Sequence, residues 1–117
     1  MTIELEKRTK TFALRIIRLA GDLPQNRVGD VIGRQVLKSG TSVGANYVEA
    51  RRASSTRHFV SLLEIATREA AETLYWLDLL IEGEIIAQNK LHPLRQECSE
   101  LVAILTTSAR TAKRRRE

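Results

Sequence analysis

Apolar residues recur along the chain at spacings of three, four and seven, the period of an amphipathic helix. The first stripe, Leu5, Phe12, Ile16, Leu19 and Leu23, predicts a helix over about 3–22. Thr2 can cap its start, and Glu4 suits its first turn. It stops between Gly21 and Pro24, because the proline disfavours helical geometry at Leu23. A second helix is predicted over 26–53, with Asn26 as N-cap and Val28, Val31, Ile32, Val36, Val43 and Tyr47 as its stripe. Its middle, Ser39 to Asn46, holds Gly40 and Gly44, each of which costs about 1 kcal/mol against alanine in a helix. A loop between two short helices is the alternative. A continuous helix is preferred, because Gly29 and Gly33 are four apart, as are Gly40 and Gly44. Small residues so spaced share a face on which a neighbouring backbone can come close; only the geometry of that rule is borrowed from membrane helices.

Ser54 and Ser55 break the pattern and can cap a third helix over 56–82. Its broad stripe includes Phe59, Leu63, Ala66, Ala70, Thr73 and Leu77, and Gly83 interrupts it. A fourth helix over 90–112 carries Leu91, Leu94, Cys98, Leu101 and Leu105, and Pro93 is acceptable only in its first turn. Four amphipathic helices on short connections imply an all-α fold, an up-down antiparallel four-helix bundle over 1–112 with a basic tail at 113–117. A 25-residue helix is roughly 38 Å long, so the bundle is a rod.

Composition agrees with helices. The chain of 117 residues has only five aromatics and two prolines, and its apolar 43% is mostly aliphatic. One cysteine, Cys98, excludes an intrachain disulfide and fits a reducing compartment. No apolar run approaches the ~20 residues that cross a bilayer, and the N-terminus lacks a signal core. These features predict a soluble, cytoplasmic protein with no membrane partner. The net charge is +5, and it is uneven: +6 over 1–58, −5 over 59–100 and +4 over 101–117. Such asymmetry steers an anionic partner to one surface, or brings basic and acidic faces of two copies together. The run Lys113 to Arg116 is either a solvated helix end, favourable to the helix dipole, or a phosphate-contacting tail.

Catalytic chemistry is thin. His58 and His92 lie far apart, Cys98 has a poor ligand spacing from His92, and no Glu-x-x-His pair, phosphate loop or dinucleotide fingerprint occurs. No catalytic residue, metal or cofactor is expected. Arg52 and His58 do resemble the Arg-x(4–6)-His signature of the HEPN ribonucleases, in which histidine acts as general base and arginine holds the phosphate. With 14 arginines the match is close to chance. Polar residues inside the apolar patterns carry more information. Asn46 and Glu69 are placed on inner faces, with Glu49 three residues after Asn46. A buried carboxylate needs a partner, for which Arg34, Lys38 and Arg51 are candidates. Their preferred role is to fix helix register; a charged pocket or lined channel is the alternative.

The stretch Gln35 to Ala50, with Ser39, Ser42, Ala45, Asn46 and Glu49, is similar to the core motif of the four-helix-bundle family named after the 23S rRNA intervening-sequence protein. Phe59 to Leu80 extends the match through Ile65-Ala66, Glu69-Ala70, Glu72-Thr73 and Tyr75-Trp76-Leu77. The chain departs at Ala50, where many members have glycine, and at Val36, where leucine is commoner. The resemblance implies a homopentameric barrel without established catalytic activity. A related branch, the accessory variability protein of diversity-generating retroelements, works with a reverse transcriptase and binds nucleic acid; no residue here decides such a partner.

The expected function is that of a non-enzymatic, oligomeric protein binding RNA or DNA through Lys7, Arg8, Lys10, Arg15 and Arg18 on the first helix and Arg114, Arg115 and Arg116 at the end. With no aromatic stacking platform, binding is expected to be largely independent of sequence. The alternatives are a protein-interaction scaffold whose charge is consumed in assembly, and the HEPN-like ribonuclease.

Overall fold

The structure is a computed structural model that describes the backbone of residues 2–116 and the side chains of residues 4–115. Four helices follow one another: α1 (Thr2–Asp22), α2 (Arg27–Arg51), α3 (Thr56–Glu82) and α4 (Gln88–Arg116). Each packs on its neighbours in sequence, α1 closes the square against α4, and among the described residues the diagonal pairs do not meet. The all-α antiparallel bundle is therefore the fold. It is a rod of 48 × 20 × 20 Å.

The helix boundaries have local causes. The Asn26 side chain accepts from the Gly29 N–H at 2.9 Å and opens α2. The Ser55 hydroxyl does the same for the His58 N–H at 3.1 Å and opens α3. The proposed Thr2 cap lies outside the described side chains. The end of α3 is a Schellman turn, in which the Ile85 N–H reaches the Leu80 carbonyl and the Glu84 N–H reaches that of Ile81. Its left-handed position is taken by Glu84, at φ 57°, rather than by a glycine. Two expected boundaries move. α2 ends at Arg51 rather than at 53, and α4 begins at Gln88, which puts Pro93 in its second turn. Residues 89 and 93 are exposed, so water can serve the Asn89 carbonyl that proline leaves without a donor. α4 also continues to Arg116, so the basic run is its last turn and not a separate tail.

α2 is continuous through Ser39–Asn46. The Thr41 and Ser42 hydroxyls donate to the Leu37 and Lys38 carbonyls, both at 2.7 Å, so these side chains do not compete with the helix. The glycines are occupied space. A Cβ on Gly40 would sit 2.8 Å from Ile16 side-chain carbons, and one on Gly44 would sit 3.1 Å from the Thr9 hydroxyl. Glycine thus lets α1 lie close along α2. Phe12, Ile16, Val36, Val43, Leu63, Leu77, Leu80, Leu101 and Leu105 fill the core without exposure. The buried polar pair between helices is Ser39 with Thr73, whose hydroxyls are 2.8 Å apart; Thr73 also reaches the Glu69 carbonyl at 2.7 Å. This pair fixes the α2–α3 register.

Two substitutions test this packing. Gly40→Val overfills the α1–α2 contact and should lower stability by about 1–3 kcal/mol in urea unfolding. Glu84→Gly relieves a left-handed residue and should raise it by about 1 kcal/mol in the same assay.

Candidate nucleic-acid interface

The bundle distributes the cations of α1 to three places. Arg8 turns to α4, where it donates to Glu97 at 2.7 and 2.8 Å and to Glu100 at 2.7 Å. These hydrogen bonds raise its pKa further above the ordinary arginine value. The Glu100 carboxyl is lowered, first by the Gln96 amide and then by Arg8. Arg8 is therefore a clasp on the α1–α4 seam, the most sparsely packed of the four. Arg15 and Arg18 line a groove of about 600 Å³ higher on that seam, with Lys90 and Asp22 at its rim and Leu19, Leu91 and Leu94 beneath. Lys10 borders a different groove, between α1 and α2. Lys7 is exposed. The first helix does not present one basic face.

A denser basic surface lies elsewhere. Arg68 on α3 and Arg110 and Lys113 on α4 line one groove of about 600 Å³, together with Glu64, Thr67 and Thr106. Glu64 is paired with Lys113, so the groove keeps excess positive charge. Arg114 and Arg115 are exposed on the same last turns of α4; the Arg116 side chain lies outside the described residues. The up-down topology brings the α2–α3 corner to this end of the rod, and with it the exposed Arg52 and Arg57. Arg52, Arg57, Arg68, Arg110, Arg114 and Arg115 form no ion pair among the described residues. Sequence reasoning singled out Arg52 only beside His58, and placed Arg57, Arg68 and Arg110 in no candidate interface. The available signal was topological: in an antiparallel bundle the end of α2, the start of α3 and the end of α4 must coincide.

The polar motif residues are not in the core. Asn46 and Glu69 are half-buried, and Glu49 is exposed. Each precedes a fully buried residue, Tyr47, Ala70 and Ala50 in turn, and one residue rotates a side chain by about 100°, from the core to its rim. Asn46 donates to the Ser42 carbonyl at 2.8 Å within its own helix. None of the three makes the expected pair with Arg34, Lys38 or Arg51; Arg51 instead pairs with Glu6 at 2.8 Å. Tyr75 is 57% exposed. Trp76 is half-buried, donates to Glu72 at 3.1 Å and meets the Tyr75 ring edge-on at 5.3 Å.

A family profile, 23S rRNA-intervening sequence protein, matches residues 1–107. The chain belongs to the 23S rRNA-intervening sequence protein family. A solved structure, described as a protein with unknown function from the S23 ribosomal protein family of Bacteroides thetaiotaomicron VPI-5482, is 36% identical. It superposes with a TM-score of 0.84 over 89% of this chain and 96% of that one. No curated protein matches the chain.

Other chemistry at this family member's surface is limited. His58 is exposed in the first turn of α3, and Arg52 is the C-cap of α2. No cluster of metal-ligating side chains occurs among the described residues. Cys98 is fully buried with its thiol 3.2 Å from the Ala70 carbonyl, and burial pushes its pKa up to about 12. No helix among the described residues is long and apolar enough to cross a membrane.

The clasp predicts a pH-dependent stability. A carboxyl with a lowered folded pKa stabilises above its unfolded value and loses that contribution as pH falls through the folded one. Arg8→Gln should lower stability at pH 7, and the difference from wild type should vanish at a pH below the lowered folded value of Glu100. Urea unfolding at both pH values checks this.

Proposed function

We propose that this protein is a non-enzymatic, self-associating bundle that binds RNA or DNA through its sugar-phosphate backbone. The observation that supports this best is the α3–α4 groove, where Arg68, Arg110 and Lys113 converge against one carboxylate that is already paired. Arg114 and Arg115 continue the charge along α4, and Arg52 and Arg57 add to the same end from the α2–α3 corner. Guanidinium groups suit phosphate oxygens through paired, planar donors. Recognition that rests on phosphates is tolerant of sequence.

This moves the centre of binding away from the first helix. Arg8 is engaged with two carboxylates, and Arg15 and Arg18 sit at the opposite half of the rod. Self-association enters from the family resemblance and from the separation of basic and acidic surfaces along the chain. It multiplies weak phosphate contacts, because several copies present several basic ends to one strand. A location with access to cellular nucleic acid, the cytoplasm, follows from the same proposal.

A gel-shift series with single- and double-stranded RNA and DNA tests it. Wild type should bind at low salt and lose affinity steeply as salt rises. Reversing Arg110, Arg114 and Arg115 to glutamate should weaken binding by about tenfold or more at low salt, and Arg8→Gln should leave it near wild type. Absence of wild-type binding at low salt overturns the proposal. Cleavage of the RNA that is lost on His58→Ala overturns its non-enzymatic part.

A further inference from the structure

Arg68 lines the α3–α4 groove and also begins a second surface. Two helical turns on, Tyr75 stands on the same face of α3. It lies about 10 Å farther along the axis and roughly 20° around it. Tyr75 is 57% exposed, the most of any large hydrophobic side chain among the described residues. The Trp76 ring meets it at 5.3 Å and 67°, which braces the phenol ring without stacking on it. At least one face of that ring therefore stays open to solvent. An open aromatic face in line with free guanidinium groups is the arrangement on which unpaired bases stack.

The charges along this face leave one path between groove and ring. Asp78, paired with Arg95 of α4, and Thr73, bonded to Ser39 of α2, mark the two sides of α3. By helical rotation, Ala71 lies on the α4 side of the line from Arg68 to Tyr75, and Glu72 on the α2 side. Glu72 is turned to the Trp76 indole N–H, from which it accepts at 3.1 Å. Ala71 is small and exposed. The path on the α4 side thus runs from the groove over Ala71 to the ring. The carboxylates that border it, Glu64 and Asp78, are both paired. Glu82 stands two turns beyond Tyr75 on the same face and closes the strip there. A strand with a base on Tyr75 therefore carries its phosphates toward Arg68 and Arg110.

We infer that Tyr75 and the α3–α4 groove form one site for an unpaired nucleic-acid strand, with a base stacked on Tyr75 and the adjoining phosphates on Arg68 and Arg110. The inference rests on the backbone binding in the proposed function and adds the class of strand and the residue that selects it. A duplex keeps its bases paired and stacked inside, so it reaches the arginines with phosphates but offers Tyr75 no free base along its length. Stacking raises affinity without adding a phosphate contact, so it leaves the salt dependence unchanged. Every base has a π-face, so the site selects single strands and not a base sequence.

Fluorescence anisotropy across a salt series tests it. The probes are labelled single strands of RNA and of DNA, an abasic strand of the same length and a blunt duplex. Wild type should bind either base-bearing strand about tenfold more tightly than the abasic strand. Tyr75→Ala should remove that advantage and leave the abasic strand, the duplex and the salt slope as in wild type. Tyr75→Phe keeps the ring and should keep the advantage. Tyr75 is exposed, so circular dichroism and the thermal midpoint of both variants should match wild type. Equal wild-type affinity for base-bearing and abasic strands, or a Tyr75→Ala variant that retains the advantage, overturns the inference while phosphate binding stands. A Tyr75→Phe variant that loses the advantage assigns it to the hydroxyl and overturns stacking. Failure of wild type to bind any probe at low salt overturns the proposed function, and the inference with it.

Discussion

The close approach of α1 to α2 is the constraint on which the bundle depends. Gly40 and Gly44 let Ile16 and Thr9 occupy space that any side chain would take. The local helix penalty of two glycines is offset by the packing of Phe12 and Ile16, which reach full burial along this seam. With α1 laid tightly on α2, its second contact, with α4, is thin and relies on Arg8 clasping Glu97 and Glu100. On the other side of α2, the Ser39–Thr73 hydroxyl pair sets the register with α3. A small-residue segment that reads locally as a loop thus has opposite faces working in two seams.

The arrangement of charge follows from these seams. Ion pairs among the described residues absorb cations on three of the four seams, α1–α2, α3–α4 and α1–α4, as Arg8, Arg51, Arg95 and Lys113 show. What stays free collects where antiparallel helices end together and where a groove holds too few carboxylates. A formal charge of +5 on the chain therefore understates the local density beside Arg68, Arg110 and Arg114. It also overstates the charge α1 offers, since one of its arginines is already neutralised. Membership of the 23S rRNA-intervening sequence protein family agrees with the bundle but assigns no task to any of these residues.

Legibility in the sequence divided along physical lines. Features set by neighbours in sequence were readable: the Asn26 and Ser55 caps, the stop near Gly83, the stripe from Leu5 to Leu23, and the close face of Gly40 and Gly44. Features that depend on a rotation of one residue were not. Asn46, Glu49 and Glu69 stand beside the core positions Tyr47, Ala50 and Ala70, and a stripe read at single-residue tolerance placed Asn46 and Glu69 inside. Val28 and Val31 erred in the same way, being 52% and 50% exposed although apolar. The Ser39–Thr73 pair was missed because a small polar residue announces nothing about its partner across 34 positions.

By itself the sequence determined the helices, their order and the antiparallel bundle, because hydrophobic periodicity, caps and short connections are local and leave few ways to bury four stripes. Only the tertiary structure decided which charges remain available. Whether a guanidinium meets a carboxylate depends on the side to which each helix turns and on the level at which it packs. That sent Arg8 to Glu97 and left Arg68 open beside Arg110.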